Sequence, residues 1–270
     1  MLIIGERINS TRKFIREAVL KRDAQFIKDE AAKQLQFGAQ VLDLNAGVAG
    51  EEAELLSWLV GVVQELGDVP LCLDTADPEA LQRALPLCKQ IPMINSITEE
   101  PDRFDRIFPI VKEYKTKVIA LCMPACATPT GVEDRMATAN RLVGRLLDGG
   151  IPVDSIYVDP CVFPIGTGPE HGPAVLDAIS HILSQYPGIH TSCGVSNVSY
   201  GLPGRRLLNE VFLVMLMSRG MDAAIVDPCD KLMMARITAV DALSGRDPYC
   251  QSYIQAYREG RLSTEPIPVR

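Results

Sequence analysis

The sequence predicts an α/β protein of one domain, folded as a (β/α)8 barrel of the TIM-barrel kind. Three observations carry that expectation. Short apolar strand-like runs alternate with helix-like runs eight times over 270 residues, and such alternation demands parallel strands covered by helices. Nearly every strand-like run ends in Asp or Asn. No Gly-rich GxGxxG follows the first strand and no Walker A stretch occurs, which removes support from the nucleotide-binding open sheets that compete with a barrel.

Strand one covers 2–4 and runs into Gly5-Glu6-Arg7-Ile8-Asn9. Asp23 is the expected N-cap of the first helix, where Ile27, Ala31 and Leu35 recur at helical spacing up to Gly38. Strand two, 40–44, leads into Asn45, and its helix carries Leu55, Leu59, Val62, Val63 and Leu66 before Gly67. Strand three, 70–73, ends at Asp74 and precedes a short helix over 78–88. Strand four, 92–94, ends at Asn95 ahead of a helix over 102–114. Strand five, 117–121, opens into a Pro-, Thr- and Ala-rich loop over 123–131, then a helix over 134–147.

Strand six, 155–158, ends at Asp159-Pro160. The loop behind it, 161–172, holds three glycines and two prolines and reads as a lid or substrate-facing segment before a helix over 173–185. Strand seven is 189–195 and leads into Ser196, Asn197 and Ser199, with Gly194 and Gly201 allowing close approach of the backbone to a ligand. Asn197 is thus expected where a strand gives way to a loop, at the ligand-binding end of a parallel fold. The next helix starts near 207, with Leu207, Leu208, Val211, Phe212 and Met215 on one face. Strand eight, 223–226, ends at Asp227-Pro228, and its helix begins near Asp230. An amphipathic segment over 249–258 packs outside, and 263–270 reads as a loose tail.

Composition narrows the function classes. A net charge of −7 argues against a nucleic-acid partner. No 18-residue apolar stretch is free of charge, so no membrane span is expected. MLIIGERIN lacks a basic region ahead of an apolar run and reads as a strand, not a signal peptide, which points to the cytoplasm. Cysteines at 72, 88, 122, 126, 161, 193, 229 and 250 form no CxxC pair and are expected as reduced core thiols, without a bound metal. His171, His181 and His190 show no ligand spacing.

The strand ends collect Asn9, Asp43, Asn45, Asp74, Asn95, Asp159, Asn197 and Asp227, which a barrel would gather on one face. That set has no histidine and no nucleophile beside a base, which disfavours a hydrolytic triad. It suits a flat heterocycle with several N–H groups. Asp74 and Asp159 can each accept two parallel hydrogen bonds from an amidine-like edge, and Asn95 can donate and accept. Each Asp taken alone could instead cap a helix. Carboxylates could also hold magnesium, which keeps a metal-dependent aldolase or lyase as an alternative.

GERIN at 5–9, LDLNAG at 42–47, LCLD at 71–74, MINS at 93–96, VDP at 158–160 and GVSNVS at 194–199 occur in this order. Together they resemble the pterin-binding TIM-barrel methyltransferases that act on methyltetrahydrofolate and a corrinoid protein. The resemblance spans nearly the whole chain. It implies a homodimer that binds tetrahydrofolate or 5-methyltetrahydrofolate at the C-terminal rim, with the corrinoid (cobalamin) carried by a partner protein. By motif, Asp74, Asn95 and Asp159 would hold the pterin ring, Asn197 would sit near the methyl-bearing N5, and Gly194 and Ser196 would line the pocket. Asn9, Asp43, Asn45, Ser96, Ser199, Tyr200 and Asp227 are further candidates.

Methyl transfer explains why such a site needs no strong acid. An amide beside N5 can accept from a protonated N5 or donate to its lone pair, and Co(I) is nucleophilic without help. Tyr200 stands where acetyl-CoA-pathway relatives, which methylate a corrinoid iron–sulfur protein, carry an amide side chain. This favours the catabolic direction, from a methylated corrinoid protein to tetrahydrofolate. Dihydropteroate synthase, which shares the pterin site, needs basic residues for a pyrophosphate leaving group. Here Ser196-Asn197-Val198 stands instead, with the nearest arginines at 205 and 206. A non-catalytic pterin carrier would present the same pocket.

Overall fold

The computed structural model describes residues 1–48, 50–124 and 128–262. Eight parallel strands form one sheet: β1 (Leu2–Asn9), β2 (Val41–Asn45), β3 (Leu71–Asp74), β4 (Met93–Ile97), β5 (Lys117–Leu121), β6 (Ile156–Asp159), β7 (His190–Thr191) and β8 (Ala223–Val226). Their order is β7-β6-β5-β4-β3-β2-β1-β8. The helices between and after them are α1 (Lys13–Lys21), α2 (Ala24–Gln36), α3 (Glu52–Gln64), α4 (Pro78–Ala84), α5 (Pro101–Tyr114), α6 (Val132–Asp148), α7 (His171–Gln185), α8 (Arg205–Ser218), α9 (Lys231–Leu243) and α10 (Gln251–Arg258). The barrel is the one the sequence predicts.

The strand period of two sorts the side chains. Ile4, Val41, Cys72, Met93, Ile119, Tyr157 and Ala223 form one buried cluster inside the barrel. Outward neighbours such as Leu42, Leu44, Leu73, Ile94, Val118 and Val158 pack in the larger core that includes the helices. Two residues beyond the inner cluster, on the same side of each strand, come Asp43, Asp74, Asn95 and Asp159. An apolar plug therefore lies beneath a polar layer.

Four elements differ from expectation. Helix α1 is absent from the sequence reading. Its N-cap Arg12 makes no side-chain cap bond and its C-cap Arg22 takes the left-handed conformation usually given to glycine, so neither end is signalled. The 78–88 segment divides into α4 and a 3-10 turn, Leu85–Leu87, because Pro86 cannot donate into the helix ladder. Strand seven contracts to two residues, and Val195–Ser199 coils into a 3-10 turn. On α8 the packed side is Phe212, Leu213, Leu216 and Met217, whereas Leu207 is 68% and Val211 50% exposed. The 161–172 loop is tied down at its centre, where Ile165 N–H donates to the Val198 carbonyl (2.9 Å). The expected tail at 263–270 and Cys126 lie outside the described residues.

Short β7 leaves a seam against β8. It is closed by a parallel bridge of Gly194 with Ile225, by Ile225 N–H donating to the Cys193 carbonyl (3.1 Å), and by the Asp222 side chain. Asp222 Oδ1 accepts from Thr191 N–H (3.0 Å) while Oδ2 meets His190 Nδ1. Asp222→Ala should strand the Thr191 amide and lower stability by about 2 kcal/mol. A urea midpoint equal to that of the unaltered protein would show that the Gly194–Ile225 bridge holds the seam alone.

Candidate active site

The polar layer is built by register. Asp43 pairs with Cys72 across β2–β3, and Asp74 pairs with Asn95 across β3–β4. Asn95 Nδ2 donates to Asp43 Oδ1 (3.3 Å), and the Cys72 thiol also hydrogen-bonds Asp43. Burial, reinforced by the nearby charge of Asp74, pushes the Asp43 carboxyl well above the usual carboxylate range. Asp43 is thus a floor whose burial favours its neutral form and whose Oδ1 fixes which way the Asn95 amide faces.

Asp74 stands one layer higher and is half-buried. Its Oδ2 accepts from Asn45 Nδ2 (3.1 Å) and, more distantly, from Asn9 Nδ2 (3.5 Å). Burial raises its carboxyl to about 6, opposed by the Asn45 bond and by the Arg103 guanidinium. Asn45 Oδ1 accepts from Gly47 N–H (3.1 Å) and Asn9 Oδ1 from Thr11 N–H (3.0 Å), so both amides are locked with their NH2 groups toward Asp74.

Asp159 ends β6 and is buried. Its Oδ1 accepts from Cys161 N–H (2.7 Å). Burial lifts its carboxyl to about 7, against the pull of that N–H and of Arg135. Asp74 and Asp159 thus sit within reach of neutrality, each able to gain from a ligand that brings N–H donors.

Asn197 lies on the 3-10 turn Val195–Ser199, and its exposed side-chain amide makes no hydrogen bond with the described residues. Gly194 makes room for it, since a Cβ at 194 would lie 3.3 Å from Asn197 Nδ2. The turn is clasped from below. Arg205 Nη2 donates to the Ser196 carbonyl (2.8 Å) and Nε to Ser199 Oγ (3.0 Å), while Ser199 Oγ donates to Asn209 Oδ1 (2.7 Å). Tyr200 is 70% exposed, its ring 5.8 Å from the Arg205 guanidinium carbon.

The remaining sequence candidates are engaged in structure. Ser96 is buried, with its carbonyl accepting from Arg103 Nη2 (2.9 Å). Asp227 accepts from Arg7 Nη1 (2.9 Å) and from Cys229 N–H (2.9 Å). Beside them a cavity of about 350 Å³ is lined by Glu6, Arg12, Ser196, Arg205, Arg206 and Asn209 among others. Glu6, Arg103, Arg135 and Arg205 were missed as site residues. For Glu6 and Arg135 a signal exists: Glu6 shares inward parity with Leu2 and Ile4, and Arg135 falls on the apolar stripe of α6. Among the described residues no cluster of three or more His, Cys, Asp or Glu could hold a metal, and no helix is long and apolar enough to cross a membrane.

Residues 5–227 match the family model described as pterin binding enzyme. The chain is 35% identical over 265 residues to the methylcorrinoid:tetrahydrofolate methyltransferase of Eubacterium limosum, covering 97% of this chain and 98% of that protein. It is 32% identical over 251 residues to methionine synthase of Mycobacterium leprae, covering 88% of this chain and 21% of that protein. Dihydropteroate synthase of Thermus thermophilus superposes with a TM-score of 0.67 at 22% identity, covering 90% of this chain and 93% of that one. The dihydropteroate synthase of Xanthomonas albilineans gives 0.69 at 18%, covering 92% and 93%. At those identities the structural likeness speaks for the barrel alone.

Asp159 links the site to stability. Its folded carboxyl titrates near 7, against 3.8 for the free group. The folded protein therefore holds a proton that the unfolded chain releases, and stability falls as pH rises from about 4 through 7. Asp159→Asn keeps the acceptor for Cys161 N–H and removes the charge. In ligand-free protein it should be more stable than the parent by on the order of 2–4 kcal/mol at pH 8, with the gap closing toward pH 4. Denaturant curves at both pH values check this, and a gap independent of pH would contradict it.

Proposed function

The chain belongs to the pterin-binding enzyme family, and from that membership we propose that it moves a methyl group from the cobalt of a methylated corrinoid protein to N5 of tetrahydrofolate. The observation that carries this reading is the full-length likeness to a methylcorrinoid:tetrahydrofolate methyltransferase. The polar layer supports it: Asp74, Asn95 and Asp159 offer the acceptors and the amide that a pterin edge requires.

The reaction conserves electrons without a redox partner. The N5 lone pair forms the new C–N bond, the Co–C electron pair stays with cobalt to give Co(I), and the proton of N5 departs. In the reverse direction N5 must be protonated for its methyl group to leave. Positive charge on N5 is common to both, and the free amide of Asn197 is the group that would accept from N5–H. Gly194 and Ser196 flank it. In this reading Asp43 orients Asn95, Asn9 and Asn45 orient Asp74, and Arg205 orients Asn197. Ser96, Ser199 and Asp227 support the loops, and Tyr200 faces the incoming corrinoid protein. Both the pterin and the corrinoid are substrates, and no metal held by the chain is required.

The same reading makes the protein a cytoplasmic homodimer. Leu208, Val211 and Met215 on α8 border an apolar groove with Pro173 and Leu176 of α7, a face suited to a second copy.

Under anaerobic conditions, methylcobalamin with tetrahydrofolate should yield Co(I) absorption, and cob(I)alamin with 5-methyltetrahydrofolate should consume it. Asn197→Ala should slow both by on the order of 10²-fold, while tetrahydrofolate affinity stays within about threefold. Pterin binding without methyl transfer, even with corrinoid proteins supplied, would identify a carrier. Loss of activity on chelation would favour a metal-dependent lyase. Val211→Glu should convert a dimer to a monomer in light scattering.

A further inference from the structure

Arg135 is the largest fully buried side chain among the described residues. It emerges from the face of α6 that also carries Ala139, Leu142, Val143 and Leu146, all buried. Among the described residues its guanidinium donates only to main-chain carbonyls. Nε reaches Pro160 (2.8 Å), Nη2 reaches Cys161 (3.2 Å), and Nη1 reaches Gly131 (3.0 Å) and Pro129 (3.3 Å). A cation without solvent is costly unless dipoles and an opposite charge surround it. Four carbonyls supply the dipoles. The acids in its field are Asp134, which is exposed, and Asp159, which is buried.

The Asp159 turn has its own tension. Cys161 adopts φ +61°, a left-handed conformation unfavourable for a residue that carries a side chain. In that conformation its N–H points back at Asp159 Oδ1. Arg135 binds both carbonyls that follow Asp159, and on its other side it binds the loop entering α6. Three thiols also act in the field of Asp159: Cys122 after β5, Cys161 on the same turn and Cys193 after β7. Burial raises each thiol and keeps it uncharged at neutral pH. Arg135 is the cation of this set.

We propose that Arg135 is a positioning residue for substrate recognition: it clamps the Asp159–Pro160–Cys161 turn to the loop entering α6 and supplies the buried counter-charge that favours the carboxylate form of Asp159, the form that accepts N–H donors. The inference rests on Asp159 being a pterin ligand, but its charge role is readable in the free protein.

Two readouts separate the parts. In ligand-free protein labelled at Asp carboxyl carbons, with Asp159→Asn for assignment, Arg135→Gln should move the Asp159 titration midpoint upward by about one unit, and Arg135→Lys should leave it in place. In binding titrations with tetrahydrofolate from pH 5.5 to 9.5, Arg135→Gln should share the pH-independent loss of the fork and lose about a further fivefold at pH 7, and only that further loss should be recovered by pH 9. Arg135→Lys keeps the charge and loses the fork, so its loss should be the same at every pH. A purely structural role would instead weaken Arg135→Gln uniformly and leave the midpoint unmoved, which overturns the charge assignment. Should Arg135→Gln not fold, unaltered affinity in Arg135→Lys overturns the clamp. If the parent protein binds no tetrahydrofolate, the pterin reading falls while the carboxyl titration still decides the role of Arg135.

Discussion

The alternation of side chains along parallel strands is the constraint on which the rest of this structure depends. Once Ile4, Val41, Cys72, Met93, Ile119 and Tyr157 fill the barrel, residues two steps farther along must face the same interior space. On β2, β3, β4 and β6 those residues are Asp43, Asp74, Asn95 and Asp159. The apolar plug excludes water from below, so the carboxyls above it lie in a medium that resists their ionisation. Packing thereby sets the chemistry: the residues that stabilise the fold create the dielectric in which the polar layer operates.

That environment is graded. Asp43, deepest, is pushed furthest toward its neutral form and acts as a fixed hydrogen-bonding partner. Asp74 and Asp159, nearer the rim, are displaced by smaller amounts and retain the capacity to ionise. Amides complete the layer: Asn9 is oriented by the Thr11 N–H, Asn45 by the Gly47 N–H and Asn95 by the Asp43 carboxyl. Asn197 differs in having no such partner, which leaves its orientation to whatever binds beside it. A site with fixed acceptors on one side and an unclaimed amide on the other recognises a ring first and responds to its protonation second.

Much of this was legible in the sequence because strand ends and turn residues follow local rules. Asp23 caps α2 by accepting from Phe26 N–H, and Asp230 caps α9 from Leu232 and Met233, as their positions suggest. The motif residues of β3, β4 and β6 stand where the spacing placed them. What escaped depended on partners distant in the chain. Helix α1 carries no capping residues, so its existence rests on Ile15, Ala18 and Val19 finding the core. The gap beside short β7 is spanned by Asp222, 31 residues later, whose side chain takes the Thr191 amide. Arg135 lies on the apolar stripe of α6, but the four carbonyls that receive it come from two loops that become neighbours only after folding. Of the face expected on α8, Phe212 packs as its spacing suggests, whereas Leu207 and Val211 stay exposed and Leu213 is buried in their place.

The seam between β7 and β8 bears on motion as well as on stability. The turn that carries Asn197 follows two residues of regular pairing on one side and a single bridge on the other, and is otherwise held by bonds from Arg205 and Ile165, whereas Asp74 and Asn95 pair with each other on strands laddered to neighbours on both sides. Thermal breathing of the barrel will therefore concentrate at one meridian, and the amide will shift relative to the acceptors far more than the acceptors shift among themselves. The protein is in effect a rigid cup with a compliant lip. A large partner presenting its reactive atom over that lip meets a group that can follow it through the small displacement between its two bonded positions, while the ring beneath is held still.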